Sequence, residues 1–380
     1  MTDDVSKPSR RGVLTGALGG VIGLAVGAGG AAAVTGSRPE APAETTGASD
    51  RVPASGTAQA GIHLPRSPQR FGRLLVLDTV GTGLGWMADV GARILELNDG
   101  TGSDLLPDGA GDLTVSVGLG PRLVAAVDPA LPGADELPLF ANDDRMAPTA
   151  TGGDVLLSAH SSDPTVLEAV LADLAALIPD AAPRWQQAMF RGAGEGSKAR
   201  NPLGFMDGIV VPHRDAELRT NVWIPSGPLA GGTVCVIRRL RLDTARFRTL
   251  ETPQREAVIG RTLRDGSPLS GGGVDDEVDL RAKTPEGEFL VPAHAHARAA
   301  HPSFTGSALM LRRSYSFDDG DGDSGLVFIS FQNELRVFVA TQHRLDEVDA
   351  LMAFATPTAS ATFLMLPGFS ADKPLGAELA

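Results

Sequence analysis

Cysteine is almost missing from this chain: Cys235 is the only one in 380 residues. A single thiol excludes an intramolecular disulfide and a cysteine-based zinc cluster. Its place inside the apolar run 233–237 marks it as a buried, inert group. Redox-active aromatic side chains are scarce as well, with Trp86, Trp185, Trp223 and Tyr315 making up the whole complement of tryptophan and tyrosine. Positive charge is in deficit, 33 Lys and Arg against 46 Asp and Glu, and the net charge of −13 opposes a phosphate backbone. No nucleic-acid partner is therefore expected. The only interior basic run, Arg238-Arg239-Leu240-Arg241, reads as the solvated end of a strand. No phosphate-binding glycine loop, serine-hydrolase elbow or zinc-protease motif occurs.

What is present is an ordinary globular composition, 42% hydrophobic and 21% charged, whose 46 glycines and 27 prolines imply many loops. The first residues differ in kind. Ser9-Arg10-Arg11-Gly12-Val13-Leu14 opens a weakly apolar stretch to Val34, with seven glycines between positions 16 and 30. This looks like a twin-arginine export signal, and the glycines argue against a retained membrane span. Residues 1–37 are read as the signal segment and the Pro-, Ala-, Thr- and Ser-rich residues 38–60 as a flexible linker. The protein is thus expected outside the cytoplasm, extracellular or periplasmic, or membrane-tethered where the signal is retained.

Beyond the linker, strands are predicted at 74–77, 113–117, 154–158 and 184–190, with helices at 87–97 and 163–178. The longer helix has Asp163 as its cap, Pro164 at its first position, and an apolar stripe of Val166, Val170, Leu171, Leu174 and Leu177. That order is β-α-β-β-α-β, a ferredoxin-like pattern. The second half predicts strands at 233–237, 309–311, 326–331 and 362–366, and a helix at 345–353. Two α+β domains follow, 61–200 and 201–380.

Three stretches could carry chemistry. Gly204-Phe205-Met206-Asp207-Gly208 sets an acid between glycines, which alone is a turn signature. Residues 291–302 gather His294, His296 and His301, and both a solvated loop and a metal or haem site fit that cluster. Residues 307–316 end an apolar strand in Arg312 and Arg313, the usual pattern of surface charge.

Together, in this order and spacing, the three stretches resemble the dye-decolourising peroxidases, especially their exported deferrochelatase/peroxidase subgroup. The similarity runs from about Leu113 to Phe369 and includes residues 113–121 (LTVSVGLGP), 152–157 (GGDVLL), 221–224 (NVWI), Gly231-Gly-Thr-Val234, Gly260-Arg261 and Leu366-Pro-Gly-Phe369. The resemblance implies two ferredoxin-like domains, each an antiparallel β-sheet with helices, and haem b (iron protoporphyrin IX) held in the C-terminal half. It implies Asp207 as distal acid, Arg312 as distal arginine, His296 as iron ligand in preference to His294 and His301, and Arg298 as a further cofactor contact. Met206 stands where a basic residue is common in the subgroup, and Ala297 where a larger aliphatic one is.

The implied reaction is haem-dependent reduction of hydrogen peroxide with oxidation of dyes or other aromatic donors. The implied partners are peroxide, the aromatic reductant, haem itself as a substrate and the twin-arginine export machinery. Two alternatives remain at this stage: release of iron from haem, and a haem or metal carrier without turnover. Trp223 and Tyr315, nearest in sequence to these stretches, are open as electron relays or as plain core residues.

Overall fold

A computed structural model describes residues 51–100 and 104–379. The expected signal and residues 38–50 of the linker lie outside the described residues. The N-terminal half runs β1 (Phe71–Asp78), α1 (Met87–Asp99), β2 (Thr114–Leu119), α2 (Pro121–Val127), β3 (Val155–Ser161), α3 (Leu167–Ala175) and β4 (Ala182–Phe190). A small sheet of β5 (Gly194–Glu195), β6 (Lys198–Arg200) and β7 (Met206–Asp207) follows, then α4 (Asp215–Asn221). The C-terminal half opens with β8 (Thr233–Leu242), α5 (Thr244–Arg248), α6 (Thr252–Ile259), α7 (His296–Ala299) and α8 (Pro302–Thr305). It ends with β9 (Leu311–Arg312), β10 (Tyr315–Asp318), β11 (Ser324–Gln332), α9 (Leu335–Val348) and β12 (Ala355–Met365).

Strand order is β4-β1-β3-β2 in the first half and β12-β8-β11-β9 in the second, with antiparallel pairing throughout. Both are the ferredoxin-like order, so the fold is α+β and internally repeated. Two seams join the halves. β2 pairs with β12 (Leu119 opposite Leu364), and β10, paired with β11, also meets β4 (Ser316 opposite Phe190). The strands therefore close into a barrel. The described residues fall in one compact unit.

Side chains alternate across this wall. Leu74, Val76, Leu156, Cys235, Ile237, Ile329, Phe363 and Met365 fill the interior. Their neighbours Leu75, Leu77, Val155 and Leu157 face α1 and α3, which present Val90, Ile94, Leu97, Val170, Leu171 and Leu174. Each fully buried aliphatic contributes about 1.5–3 kcal/mol. Helix α1 stops at Gly100, whose φ of +65° suits glycine and whose N–H bonds to the Leu97 carbonyl.

The structure corrects several expectations. The linker is ordered before its predicted end: Val52, Ala54 and Ala60 are buried, and Gln59 Nε2 donates to the Val117 and Leu366 carbonyls. Asp163 caps as expected, accepting from Thr165 N–H at 2.9 Å, but the first turn is 3-10 and α3 begins at Leu167. The predicted helix at 345–353 is instead the end of α9 followed by a 3-10 turn, Ala350–Phe354. Arg238 and Arg239 are not solvated. Arg238 makes a bidentate pair with Asp143, both bonds 2.7 Å, at side-chain exposures of 3% and 2%. Arg239 is held by Asp319, Asp323, Gln187 and Thr358. Two of the run's three arginines are thus neutralised internally, and only Arg241 is exposed.

Polar groups also enter the barrel. His160, on the same face of β3 as Leu156 and Ser158, lies between Ser158 Oγ (2.9 Å from Nε2) and Tyr315 Oη (3.1 Å from Nδ1). Burial, reinforced by the nearby Arg313 charge, lowers the His160 pKa to about 3. The unfolded chain therefore binds more protons than the folded one between pH 6.5 and 3, and stability falls as pH drops through that window. The stability difference between wild type and His160→Gln should shrink by about 1.4 kcal/mol per pH unit on acidification there, measured by urea unfolding. Separately, Asp143→Ala should cost about 3–5 kcal/mol in the same assay, because it strands a buried guanidinium.

Candidate active site

A cavity of about 540 Å³ opens between the C-terminal sheet and the segment that connects β8 to β9. Leu203, Phe205, Leu240, Leu242, Ile259, Leu326, Phe328 and Leu345 give it an apolar wall, together with Met206, Met310 and Met352. Asp207, His296 and Arg312 all line it. Three side chains from separate segments thus converge on one space.

Asp207 arrives on a tight hairpin in which β7 pairs with β6, Ala199 opposite Asp207. Gly208 follows at φ +74°, and a Cβ there would lie 2.1 Å from the Ser197 carbonyl oxygen. Only glycine fits, so the Asp-Gly motif has a steric cause. Asp207 Oδ1 accepts the Gly208 N–H at 2.6 Å, and Oδ2 has no hydrogen bond among the described residues.

Arg312 and Arg313 are consecutive on an extended segment and so face opposite ways. Arg312 lines the cavity and is steadied by one bond from Nη1 to the Val210 carbonyl, 3.1 Å. Arg313 points into the barrel, where it is buried and donates to the Pro65 carbonyl at 2.8 Å. Strand alternation separates the pair that sequence motif alone leaves adjacent.

His296 begins α7. Its Nδ1 is 2.6 Å from Oδ2 of Asp349, a carboxylate with no exposed side-chain surface whose Oδ1 accepts the Leu351 N–H at 2.9 Å. With Asp349 ionised, the ring proton sits on Nδ1 and Nε2 keeps a lone pair with no partner among the described residues. The His296 side chain retains 37% exposure although protein surrounds it, because the cavity reaches the ring. Burial pulls its pKa down, and the Asp349 charge and hydrogen bond more than reverse this, so the net shift is upward.

The neighbouring histidines differ. His301 touches the cavity but its Nδ1 accepts the Ser303 N–H, capping α8. His294 does not line the cavity. Arg298, expected as a cofactor contact, has both terminal nitrogens on the Leu280 carbonyl, 2.7 and 2.9 Å, and its guanidinium stacks over Phe289. It fastens the 280–289 loop to α7 and leaves the cavity wall to others. Sequence reading also missed Asp349, whose only local signature is that of a cap at the end of α9.

The donor set suits one kind of group. Among the described residues no cluster of three or more His, Cys, Asp or Glu is arranged around a bare ion. A lone carboxylate-backed imidazole on a large apolar cavity suits a metal whose remaining ligands come from a flat macrocycle. The class defined by fold and cavity is a haem protein built on paired ferredoxin-like sheets.

Comparison with known proteins narrows the class. Residues 198–370 match the family described as Dyp-type peroxidase, C-terminal. The chain is 37% identical over 290 residues to a dye-decolorizing peroxidase of Thermobifida fusca, covering 70% of this chain and 67% of the relative. It is 29% identical to a deferrochelatase of Yersinia pestis across 96% of this chain and 93% of that one. Among solved structures, a DyP-type peroxidase from Streptomyces coelicolor aligns with a TM-score of 0.80 and 31% identity, covering 87% of this chain and 96% of that one. Ferric DtpA from Streptomyces lividans aligns with the same score and identity, covering 87% and 97%. The chain belongs to the dye-decolourising (DyP-type) peroxidase family, and it is a haem enzyme that uses hydrogen peroxide to oxidise a reductant.

Asp349 is the site residue whose removal leaves the cavity wall intact. Asp349→Ala should lower haem affinity about 10–100-fold in a titration of the haem-free protein, with the fold retained by circular dichroism.

Proposed function

We propose that His296 holds the haem iron and that Asp207 and Arg312 carry the peroxide chemistry, with the protein acting outside the cytoplasm. The observation that carries this reading is the convergence of the three side chains on one cavity, with Asp349 behind the imidazole. Haem, when bound, supplies the redox-active iron.

His296 Nε2 is the donor atom, and Asp349 holds the proton on Nδ1, which fixes the tautomer and raises the basicity of the ring. Asp207 Oδ2 is the free base of the site. It takes the proton from one oxygen of peroxide and hands it to the other, so that the departing oxygen leaves as water. The Arg312 guanidinium stabilises the negative charge that grows on that oxygen as the O–O bond stretches. The apolar wall keeps bulk water from competing for these contacts.

Dyes and other aromatic donors fit as reductants, as the name of the Thermobifida relative suggests. Export through the twin-arginine machinery rests on Arg10-Arg11 and the weakly apolar stretch after them. That route carries folded proteins, which suits a cofactor inserted before transport. A second reading, release of iron from haem, is favoured by the relatives described as deferrochelatases, which match across almost the whole chain.

Asp207→Ala and Arg312→Leu should each keep the haem absorption band and lower peroxide-dependent dye oxidation by at least about 100-fold. Undiminished turnover in both variants would overturn the assignment. Incubating the haem-loaded enzyme with reductant and measuring metal-free porphyrin fluorescence tests the second reading, which predicts its steady appearance.

A further inference from the structure

Five arginines are buried among the described residues, and four of them are well provided for. Arg238 has the carboxylate of Asp143, and Arg239 has those of Asp319 and Asp323. Arg261 donates to the backbone carbonyls of Gly266, Val274 and Asp276, and Arg298 to that of Leu280 while it stacks on Phe289. Arg313 differs. It is 4% exposed, yet its one hydrogen bond among the described residues runs from Nη1 to the Pro65 carbonyl, and its buried Nε has no partner. None of the carboxylates among the described residues pairs with it. Burial lowers its pKa only to about 10, so the guanidinium stays cationic at neutral pH. The Arg191 charge, which also acts on it, has the same sign. Burial raises the pKa of the Tyr315 phenol and of the Cys235 thiol, so both stay protonated and neither supplies negative charge. A lone guanidinium in a low-dielectric interior is strongly unfavourable unless an opposite charge meets it.

Space for such a charge is built beside it. Arg313 lines an interior cavity of about 10 Å³, room for one particle the size of a water molecule. Ser116, Ser158 and His160 also line it, and the rest of the wall is apolar side chains and the Cys235 thiol. Ser116 and Ser158 stand opposite each other in the β2–β3 register, so their hydroxyls share the interior face with Cβ atoms roughly 5 Å apart. The Ser116 hydroxyl has no hydrogen bond among the described residues. Ser158 Oγ lies 2.9 Å from His160 Nε2, and His160 Nδ1 lies 3.1 Å from Tyr315 Oη. A phenol is a stronger hydrogen-bond acid than an alkyl alcohol, so Tyr315 donates to Nδ1 and Nε2–H donates to Ser158. The Ser158 O–H is then left to point into the cavity. Two hydroxyl protons and a guanidinium thus face one small space whose walls hold no anion.

We propose that this cavity is a binding site for a single monatomic anion, a halide of the size of chloride, held by Arg313, Ser116 and Ser158. A water molecule would accept from the guanidinium but leave its charge unbalanced. Sulfate, phosphate and carboxylates are too large for the space. The three groups come from both halves of the molecule: Ser116 is on β2 and Ser158 on β3, whereas Arg313 lies between β9 and β10. The ion therefore ties the two ferredoxin-like sheets together across the interior of the barrel, away from the cavity that holds His296. The proposal does not depend on the peroxidase reading of that cavity.

Long-wavelength diffraction on either side of the chlorine absorption edge tests it. The haem-loaded protein is crystallised at millimolar sodium chloride, with gluconate, too large for the cavity, making up the ionic strength. The expected result is an anomalous signal inside the barrel, between Arg313, Ser116 and Ser158, that is present above the edge and absent below it. Arg313→Met keeps most of the side-chain length and removes the charge, and the signal should be lost there with both serines in place. Density for a water molecule without a chlorine signal in the wild-type crystals would overturn the proposal. So would a signal that appears only at molar chloride, which marks an adventitious ion only. An undiminished signal in Arg313→Met would overturn the role given to Arg313. The wild-type crystals need no substitution, so the test does not depend on a variant folding.

Discussion

Closure of two ferredoxin-like sheets into one barrel is the constraint from which the rest of the molecule follows. A closed wall has a packed interior and a helix-covered exterior, so every strand residue is committed to one side or the other. In β1 this gives Leu74 and Val76 to the interior and Leu75 and Leu77 to the helices. The same alternation sends Arg312 to the cavity and Arg313 to the barrel. Charge that enters such a structure must be matched locally, and Arg238 with Asp143 shows the cost being offset by a bidentate pair.

The cavity is where the second repeat departs from the first. The first half joins β1 to β2 with α1 as the one helix between them, whereas β8 reaches β9 through a longer excursion that carries α5 to α8. That excursion supplies His296, the β6–β7 hairpin supplies Asp207, and α9 ends where Asp349 can meet the imidazole. The sheets thus act as a rigid frame, and the chemistry sits on what was inserted between strands.

Much of this was legible in the sequence, for reasons that the structure makes physical. The alternating apolar runs and the Asp163-Pro164 start signal placed the elements of the first half. Asp207 came from the resemblance, since its glycine-flanked motif alone reads as a turn, and the structure gives that motif a steric cause in Gly208. Arg312 over Arg313 needed only the two-residue period of a strand, applied once the extended segment is known. Asp349 was not readable, because its bond to His296 spans 53 residues and its local pattern is that of an ordinary cap. Arg238 and Arg239 misled for a related reason: an apolar run followed by arginines resembles a strand emerging into water, and their carboxylate partners lie on distant loops. Helix α9 was placed too late because only Val337, Phe338 and Thr341 along it are buried, and that narrow stripe in a mostly polar helix leaves little period to read.

Three methionines on the cavity wall, Met206, Met310 and Met352, add a limit of a different kind. A thioether is easily oxidised to the sulfoxide, and that product is polar, larger and restored only by a dedicated reductase. Each turnover in which an oxidising equivalent finds no external donor exposes these sulfurs to it. The wall of the pocket is therefore a slowly consumed material, and the enzyme ages with the work it does in the absence of reductant.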